Sequence, residues 1–332
     1  MLRMTISPTC CVSLVALLLL VLVQPEADAH SVHRHTGAEA DSTTGAATPR
    51  DLLQRYSVSG DDHLLAVARQ ALADSTGASA AEKLLYLAWL AQAEHDFKQA
   101  SVLLGRLLAE QPGNGQAWLL EAAVAQVVGD IDRYRRACSR VALSISPMAS
   151  VTCFARQAVS LEERRRAYER LQDLTANTDD VNLMAWHFSV RAELAWSLGE
   201  MAAAERDLRY AIAAVPSVQR RAALMDLLLQ QQRYTDALAV DPAAHAVPAI
   251  AVRQVLAKRG LGFPVDLTVR TMDLRFKEWL DAGDYRHARE IAMFYLDVLP
   301  DPELAYDVAR RNARLQREAE DMALLARAEG MQ

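Results

Sequence analysis

Three stretches of this chain repeat one pattern: EHDFKQASVLLGRLLAEQP (residues 94–112), LGEMAAAERDLRYAIAAVP (198–216) and AGDYRHAREIAMFYLDVLP (282–300). In each, a large apolar residue (Phe97, Met201, Tyr285) precedes an alanine by three positions (Ala100, Ala204, Ala288). A proline follows that alanine by twelve (Pro112, Pro216, Pro300). Self-similarity at a fixed period is the mark of an array of stacked supersecondary units, here helical hairpins.

Working outward, turn signals recur at Ser59-Gly60-Asp61, His95-Asp96, Gly129-Asp130, Gly199-Glu200, Gln232-Arg233 and Gly283-Asp284. The residues beside the first three, His63, Phe97 and Ile131, fall 34 apart. The pattern weakens after Ile131, where Leu161-Glu162-Glu163 opens a degenerate second helix holding Ala167 and Leu171. Met201 and Tyr234 restore the spacing at 33. Apolar residues return at three- and four-residue steps and β-branched alternation is absent, so helix is expected from about Thr48 onward. Hydrophobic residues make up 52% of the chain but aromatics only 6%. The balance is carried by alanine and leucine, strong helix formers suited to close stacking.

These residues resemble the tetratricopeptide repeat, a hairpin of about 34 residues with a small residue in the first helix, an aromatic at the turn, an alanine in the second helix and a closing proline. Ala88, Phe97, Ala100 and Pro112 carry the likeness in one unit. Ala192, Gly199, Ala204 and Pro216 carry it in another, and Gly283, Tyr285, Ala288 and Pro300 in a third. The resemblance implies an all-α, right-handed helical-hairpin superhelix that binds proteins. The alanines let paired helices approach, while Leu104, Leu208 and Tyr295 fill the gap to the next hairpin. No hairpin buries its own apolar face, so each depends on its neighbours.

Five segments follow. Residues 1–29 read as a cleaved secretory signal: Arg3, the apolar run Val12–Val23, then Ala27-Asp28-Ala29. A retained N-terminal anchor is the other reading. Residues 30–47 form a flexible lead-in, 48–240 an N-terminal array, 241–268 an irregular connector, and 269–332 a C-terminal repeat with capping helices. Asp241-Pro242 cuts one second helix short, and Gly260-Leu261-Gly262-Phe263-Pro264 follows the connector's helix, so a hinge is expected there. Leu304–Arg327, thin in apolar residues, suits a terminal cap with a wet outer face.

Removing Arg3, Glu26 and Asp28 from the 36 cations and 42 anions leaves 35 against 40, a mild net charge of −5. That balance argues against nucleic acid, whose binding leans on a strong basic field. No segment after the leader is long and apolar enough to span a membrane, so the mature protein is expected to be exported, periplasmic or secreted. In such a compartment Cys138 and Cys153 can persist as a disulfide; buried free thiols are the alternative.

Catalytic signatures are missing: there is no HExxH, GxSxG, GxxxxGK[ST] or GxGxxG. The sequence therefore points to a non-enzymatic protein with no cofactor. Two binding candidates stand out. His30, His33 and His35 open the mature chain with imidazole donors that suit copper, nickel or zinc, and would make the protein a metal-handling accessory. The stronger candidate is the concave groove. One turn off the core stripe of the first helices, Trp89, Arg156, Trp186, Glu193, Trp196, Asp226 and Lys277 are expected to face it, with Trp118 and Trp279 in the core. Aromatic area and charge suit an extended peptide. The leading expectation is an exported scaffold for a protein or peptide partner, within an envelope or secretion assembly. Glu162–Arg166 reads as a solvated face, and His187, His245 and His287 as ordinary structural or surface residues.

Overall fold

The computed structural model describes residues 47–174, 178–243 and 247–331. The leader, most of the lead-in with His30, His33 and His35, and His245 lie outside the described residues. Within them are 17 α-helices and no strand. They are α1 (Pro49–Ser59), α2 (His63–Asp74), α3 (Ala80–Ala93), α4 (Phe97–Glu110), α5 (Gly115–Val128) and α6 (Ile131–Ser144). Next come α7 (Pro147–Ala155), α8 (Leu161–Asp173), α9 (Val181–Ser197), α10 (Met201–Ala214), α11 (Val218–Gln230) and α12 (Tyr234–Val240). The chain ends in α13 (Pro248–Gly260), α14 (Asp266–Asp281), α15 (Ala288–Asp297), α16 (Pro302–Leu315) and α17 (Ala319–Glu329).

Most successive helices pair as hairpins, and the hairpins pack on one another in chain order, which makes the fold a TPR-like helical-hairpin solenoid; at α14 the backbones stay farther apart, α13 meeting α15 while Val269, Met272 and Phe276 of α14 pack into the same apolar cluster. The second helices begin where the repeat places them at His63, Phe97, Ile131, Leu161, Met201 and Tyr234, whereas α15 of the third quoted stretch begins at Ala288, three residues after Tyr285. The turn chemistry explains why. His95, Gly129, Gly199 and Gln232 each adopt positive φ two residues before the second helix, the left-handed step that ends a helix by capping its last carbonyls. Asp96 and Asp130 then accept from the amides of Gln99 and Arg133, capping the helix that follows. Capping boxes open the first helices α1 (Thr48 with Asp51) and α3 (Ser79 with Glu82), the degenerate second helix α8 (Ser160 with Glu163), and α17 (Glu318 with Asp321).

Packing follows the repeat alanines. Ala88, Ala100, Ala192, Ala204 and Ala288 are fully buried, as are Leu104 and Leu208, with Tyr295 at 1% exposure. The two helices of a hairpin are buried differently. In α6 only Tyr134, Ala137, Cys138 and Val141 are covered, one stripe of an amphipathic helix. In α5 the covered residues run Leu119, Leu120, Ala122, Ala123, Val124, Ala125 and Val127, nearly the whole circumference. First helices are sandwiched between their own partner and the neighbouring hairpins; second helices form the outer wall. Cys138 of α6 and Cys153 of α7 are joined by a disulfide with Cα atoms 5.5 Å apart.

The solenoid does not stay open. Helix α1 meets α11, and the α14–α15 turn meets the α1–α2 turn. Gly60, at φ 68°, lies so near α13 that an added Cβ would come 2.8 Å from Val247 Cγ1. Arg221 donates to the Val58 carbonyl at 2.5 Å. The corner between α16 and α17 turns inward instead of presenting a wet cap: Gln316, Glu318 and Asp321 are buried. Ends far apart in sequence thus interlock, an outcome that the repeat period alone does not imply.

Candidate partner-binding lumen

Polar side chains gather where the last corner of the chain meets α5, α7 and α9, with Arg156 among them. Arg156 caps the C-terminus of α7, and its buried guanidinium donates to Glu193 of α9 at 3.1 Å and to Gln126 of α5 at 2.8 Å. Burial alone would make Arg156 easier to deprotonate, but the charges of Glu193, Tyr134, Glu318 and Glu320 hold its pKa above the ordinary value. Burial pushes the Glu193 carboxyl up, aided by Glu318 and opposed by Arg156.

The C-terminal corner enters this surface. The Arg317 backbone N–H donates to the Val127 carbonyl of α5 at 2.6 Å. Gln316 Nε2 sits 3.1 Å from His95 Nδ1, and the Arg317 stem covers Gly129. Arg289 of α15 anchors the corner from behind, reaching Asp321 at 2.7 Å through both Nε and Nη2 and Glu318 at 2.9 Å. Asn312 adds a 2.7 Å bond to Asp321. Glu320 is the misfit. Its two carboxylate oxygens are buried with no hydrogen-bond partner beyond its own backbone. Burial raises its pKa well above the usual range, with Glu318 and Glu193 adding to the effect and Arg289 opposing it.

A second junction joins the ends. Asp62, at the head of α2, lies 3.3 Å from His287 Nε2 and 3.4 Å from Arg286 Nη1. Burial favours its protonated form, yet the His287 hydrogen bond and the charges of His287 and Arg286 leave its pKa below the ordinary value. The His95 imidazole is pushed down to about 4, first by burial and then by the positive field of His287, Arg289 and Arg286.

The residues expected in the groove divide. Arg156 and Glu193 come together in the lumen. Asp226 is spoken for by Arg253, which grips it at 2.7 and 2.6 Å. Lys277 is exposed on α14 and pairs with Asp273 of its own helix at 2.9 Å. The tryptophans reverse their expected places. Trp89, Trp186 and Trp196 are 2–4% exposed inside the apolar clusters, with Trp196 Nε1 donating to Gln230 at 2.7 Å. Trp118 and Trp279, expected in the core, are only partly buried. Trp118 donates to the Pro112 carbonyl and lies beneath Arg140, and Trp279 beneath Arg275. The phase argument assumed one wet side on each first helix, and these helices have almost none.

Glu162–Arg166 is a solvated face, with Arg166 paired to Glu162 at 2.8 Å and Arg165 to Glu200 at 3.1 Å. His187 is structural, buried against Thr152 at 3.1 Å. His287 is a seam residue, not an ordinary surface one. Sequence reasoning missed Asp62, His95, Gln316, Arg317, Glu318 and Glu320. The one available signal was the positive-φ turn occupied by His95 where other repeats carry glycine. Among the described residues no group of three or more His, Cys, Asp or Glu side chains could hold a metal ion, and no helix is long and apolar enough to cross a membrane.

No family model matches the chain, and no curated protein matches it by sequence. Among solved structures it is similar to a chain in the crystal structure of the APC/C hetero-tetramer Cut9-Hcn1, with 17% identity and a TM-score of 0.43. That alignment covers 83% of this chain and 48% of the other, so the chain spans about half the length of that structural neighbour.

Proposed function

We propose that the protein is an exported, non-enzymatic scaffold that binds a protein or peptide partner on the inner surface of its superhelix, within an envelope or secretion assembly. The observation that carries this reading is the occupant of the lumen. A turn of polypeptide, Gln316–Glu320, lies against His95 and Val127 through an amide side chain and a backbone N–H, with two carboxylates in the field of Arg156. A surface that holds one peptide segment by backbone and charge contacts has the chemistry to hold another. Export rests on the Arg3, Val12–Val23 and Ala27-Asp28-Ala29 leader.

The test is proximity labelling in the native envelope, followed by binding measurements with each purified candidate. An Arg156→Ala/Glu193→Ala variant, which removes both members of the lumen pair together, should lose at least about tenfold in affinity for a true partner. Partners that bind the variant as tightly as the wild type would place the interaction on another surface.

A further inference from the structure

The helices at the two ends of the chain are held together mainly by polar contacts. One apolar cluster runs through α1–α5, and another through α13–α17; they share no residue. Among the contacts that join them are Asp62 with His287 and Arg286, His95 with Gln316, and Arg317 with Val127, besides the close approach of Gly60 to Val247 and Val218 and the contact of α1 with α11, where Arg221 donates to the Val58 carbonyl. Opening this seam leaves both apolar clusters whole. It exposes polar groups that water can satisfy, so it costs little compared with unfolding either half.

The closed state also carries its own opposition. Glu193, Glu318 and Glu320 face one another around Arg156 and Arg289, and the Glu320 oxygens are buried without a partner. A buried carboxyl group with no partner beyond its own backbone costs free energy in the closed state and so favours release. The corner itself is tied to α15 by Arg289 and to α16 by Asn312. It therefore remains folded while it leaves the lumen, moving with its helices in the sliding manner by which packed elements open.

The geometry points to a latch: Gln316–Glu320 is an internal stand-in for the partner, and the lumen becomes available when the seam opens. The partner that replaces it is an extended peptide carrying carboxylates. It would give Val127 a backbone N–H, His95 a hydrogen-bond donor, and Arg156 its acidic side chains. This inference rests on the peptide-binding reading above and adds to it the closed ground state and the acidic character of the ligand.

Two full-length variants test it. Arg317→Pro deletes the N–H that reaches Val127; Gln316 before it is extended (φ −124°, ψ 122°), the conformation that a following proline prefers. Gln316→Ala/Asp62→Asn changes side chains only and serves if the proline variant fails to fold. Each is measured by small-angle scattering, by amide hydrogen exchange, and by binding of a synthetic peptide with the sequence of residues 314–322. The latch predicts a larger radius of gyration in the variants. It predicts Arg317 amide exchange about tenfold faster in the double variant, the size expected from losing one or two hydrogen bonds. It also predicts that the peptide binds the variants at least about tenfold tighter than the wild type, and that a Glu318→Gln peptide, which lacks the corner acid that is ion-paired in the closed state, does not. Unchanged scattering and exchange in a folded variant would overturn the latch and leave the scaffold reading standing. Opening with no peptide binding would overturn the lumen as a peptide site.

Discussion

The backbone N–H of Arg317 reaches the carbonyl of Val127 at 2.6 Å, so the last corner of the chain closes on the end of the third first-helix. Carbonyls at a helix C-terminus lack intrahelical donors and need partners from elsewhere. Here the donor is a segment from the opposite end of the solenoid. This contact, with Asp62–His287, turns a linear stack into a ring.

The repeat alanines set how closely the helices of a hairpin approach. Ala100 and Ala204 have no exposed surface, so Ala100→Leu or Ala204→Leu must force the pair apart. Either substitution should cost about 1–3 kcal/mol, read as a lower urea midpoint with an unchanged slope. A midpoint equal to that of the wild type would mean the hairpins have slack that this packing lacks.

The bond between Cys138 and Cys153 closes a loop with a sequence separation of 15. On the chain-entropy argument it contributes about 3 kcal/mol. Reduction, or Cys138→Ala/Cys153→Ala, should lower stability by that order in chemical denaturation, and reductant should have no further effect on the alanine variant.

Gln232 occupies a left-handed turn position (φ 58°) where the equivalent turns at Gly129 and Gly199 use glycine. Its Cβ carries the strain of that conformation, which exceeds the entropic cost of glycine. Gln232→Gly should therefore stabilise the fold by about 0.5–1 kcal/mol, seen as a higher Tm. A lower Tm would show that the side chain contributes more than its conformation costs.

Histidine titration gives a pH dependence with a definite sign. The buried His187 imidazole is pushed down to about 4, first by desolvation and then by the Arg191 charge. In the unfolded chain it binds a proton near the ordinary imidazole value of 6.5. Between those values the unfolded state holds a proton that the native state refuses, so stability falls as pH drops from about 6.5 to about 4 and then levels. Glu193 and Glu320 act in the opposite sense, since their raised pKa values let the native state hold protons that the unfolded chain has released. Comparing wild type with His187→Asn isolates the histidine. The wild type should lose on the order of 2 kcal/mol relative to the variant between pH 7 and pH 4, measured from urea midpoints at each pH.

Arg289 holds two buried acids, Asp321 and Glu318. Arg289→Met leaves both without their cation and should cost about 3–5 kcal/mol. Arg289→Met/Asp321→Asn should recover part of that loss, because one of the stranded charges is gone. A double variant as unstable as the single one would mean that the acids are stabilised by something other than Arg289.

Much of this architecture was legible in the sequence, and the reason is local. Phe97, Ile131, Met201 and Tyr234 announce second helices because a left-handed turn residue lies two positions before each, joined at Phe97 and Ile131 by a capping aspartate. Ala100 and Ala204 are readable because close helix approach admits only small side chains. The lumen was harder. Arg156 and Glu193 were placed by the same helical phase as the tryptophans, and they do come together. The tryptophans were misplaced because helices such as α5 and α9 are covered on nearly every side, which erases the amphipathic phase that locates a groove. His95–Gln316 and Asp62–His287 leave no periodic trace at all. In sequence these are polar turn residues of the kind found on any surface, and only closure of the ring gives them partners.

The account depends most on that closure. Labels at Asp61→Cys and Asp281→Cys, on exposed positions beside the α1–α2 and α14–α15 turns, allow the gap between the two ends to be measured by pulsed dipolar spectroscopy on the full chain carrying Cys10→Ser/Cys11→Ser, with the Cys138–Cys153 disulfide intact. A closed ring predicts one short, narrow distance that lengthens in the Gln316→Ala/Asp62→Asn variant. A long, broad distribution already present in the wild type, and unmoved by the variant, would contradict it.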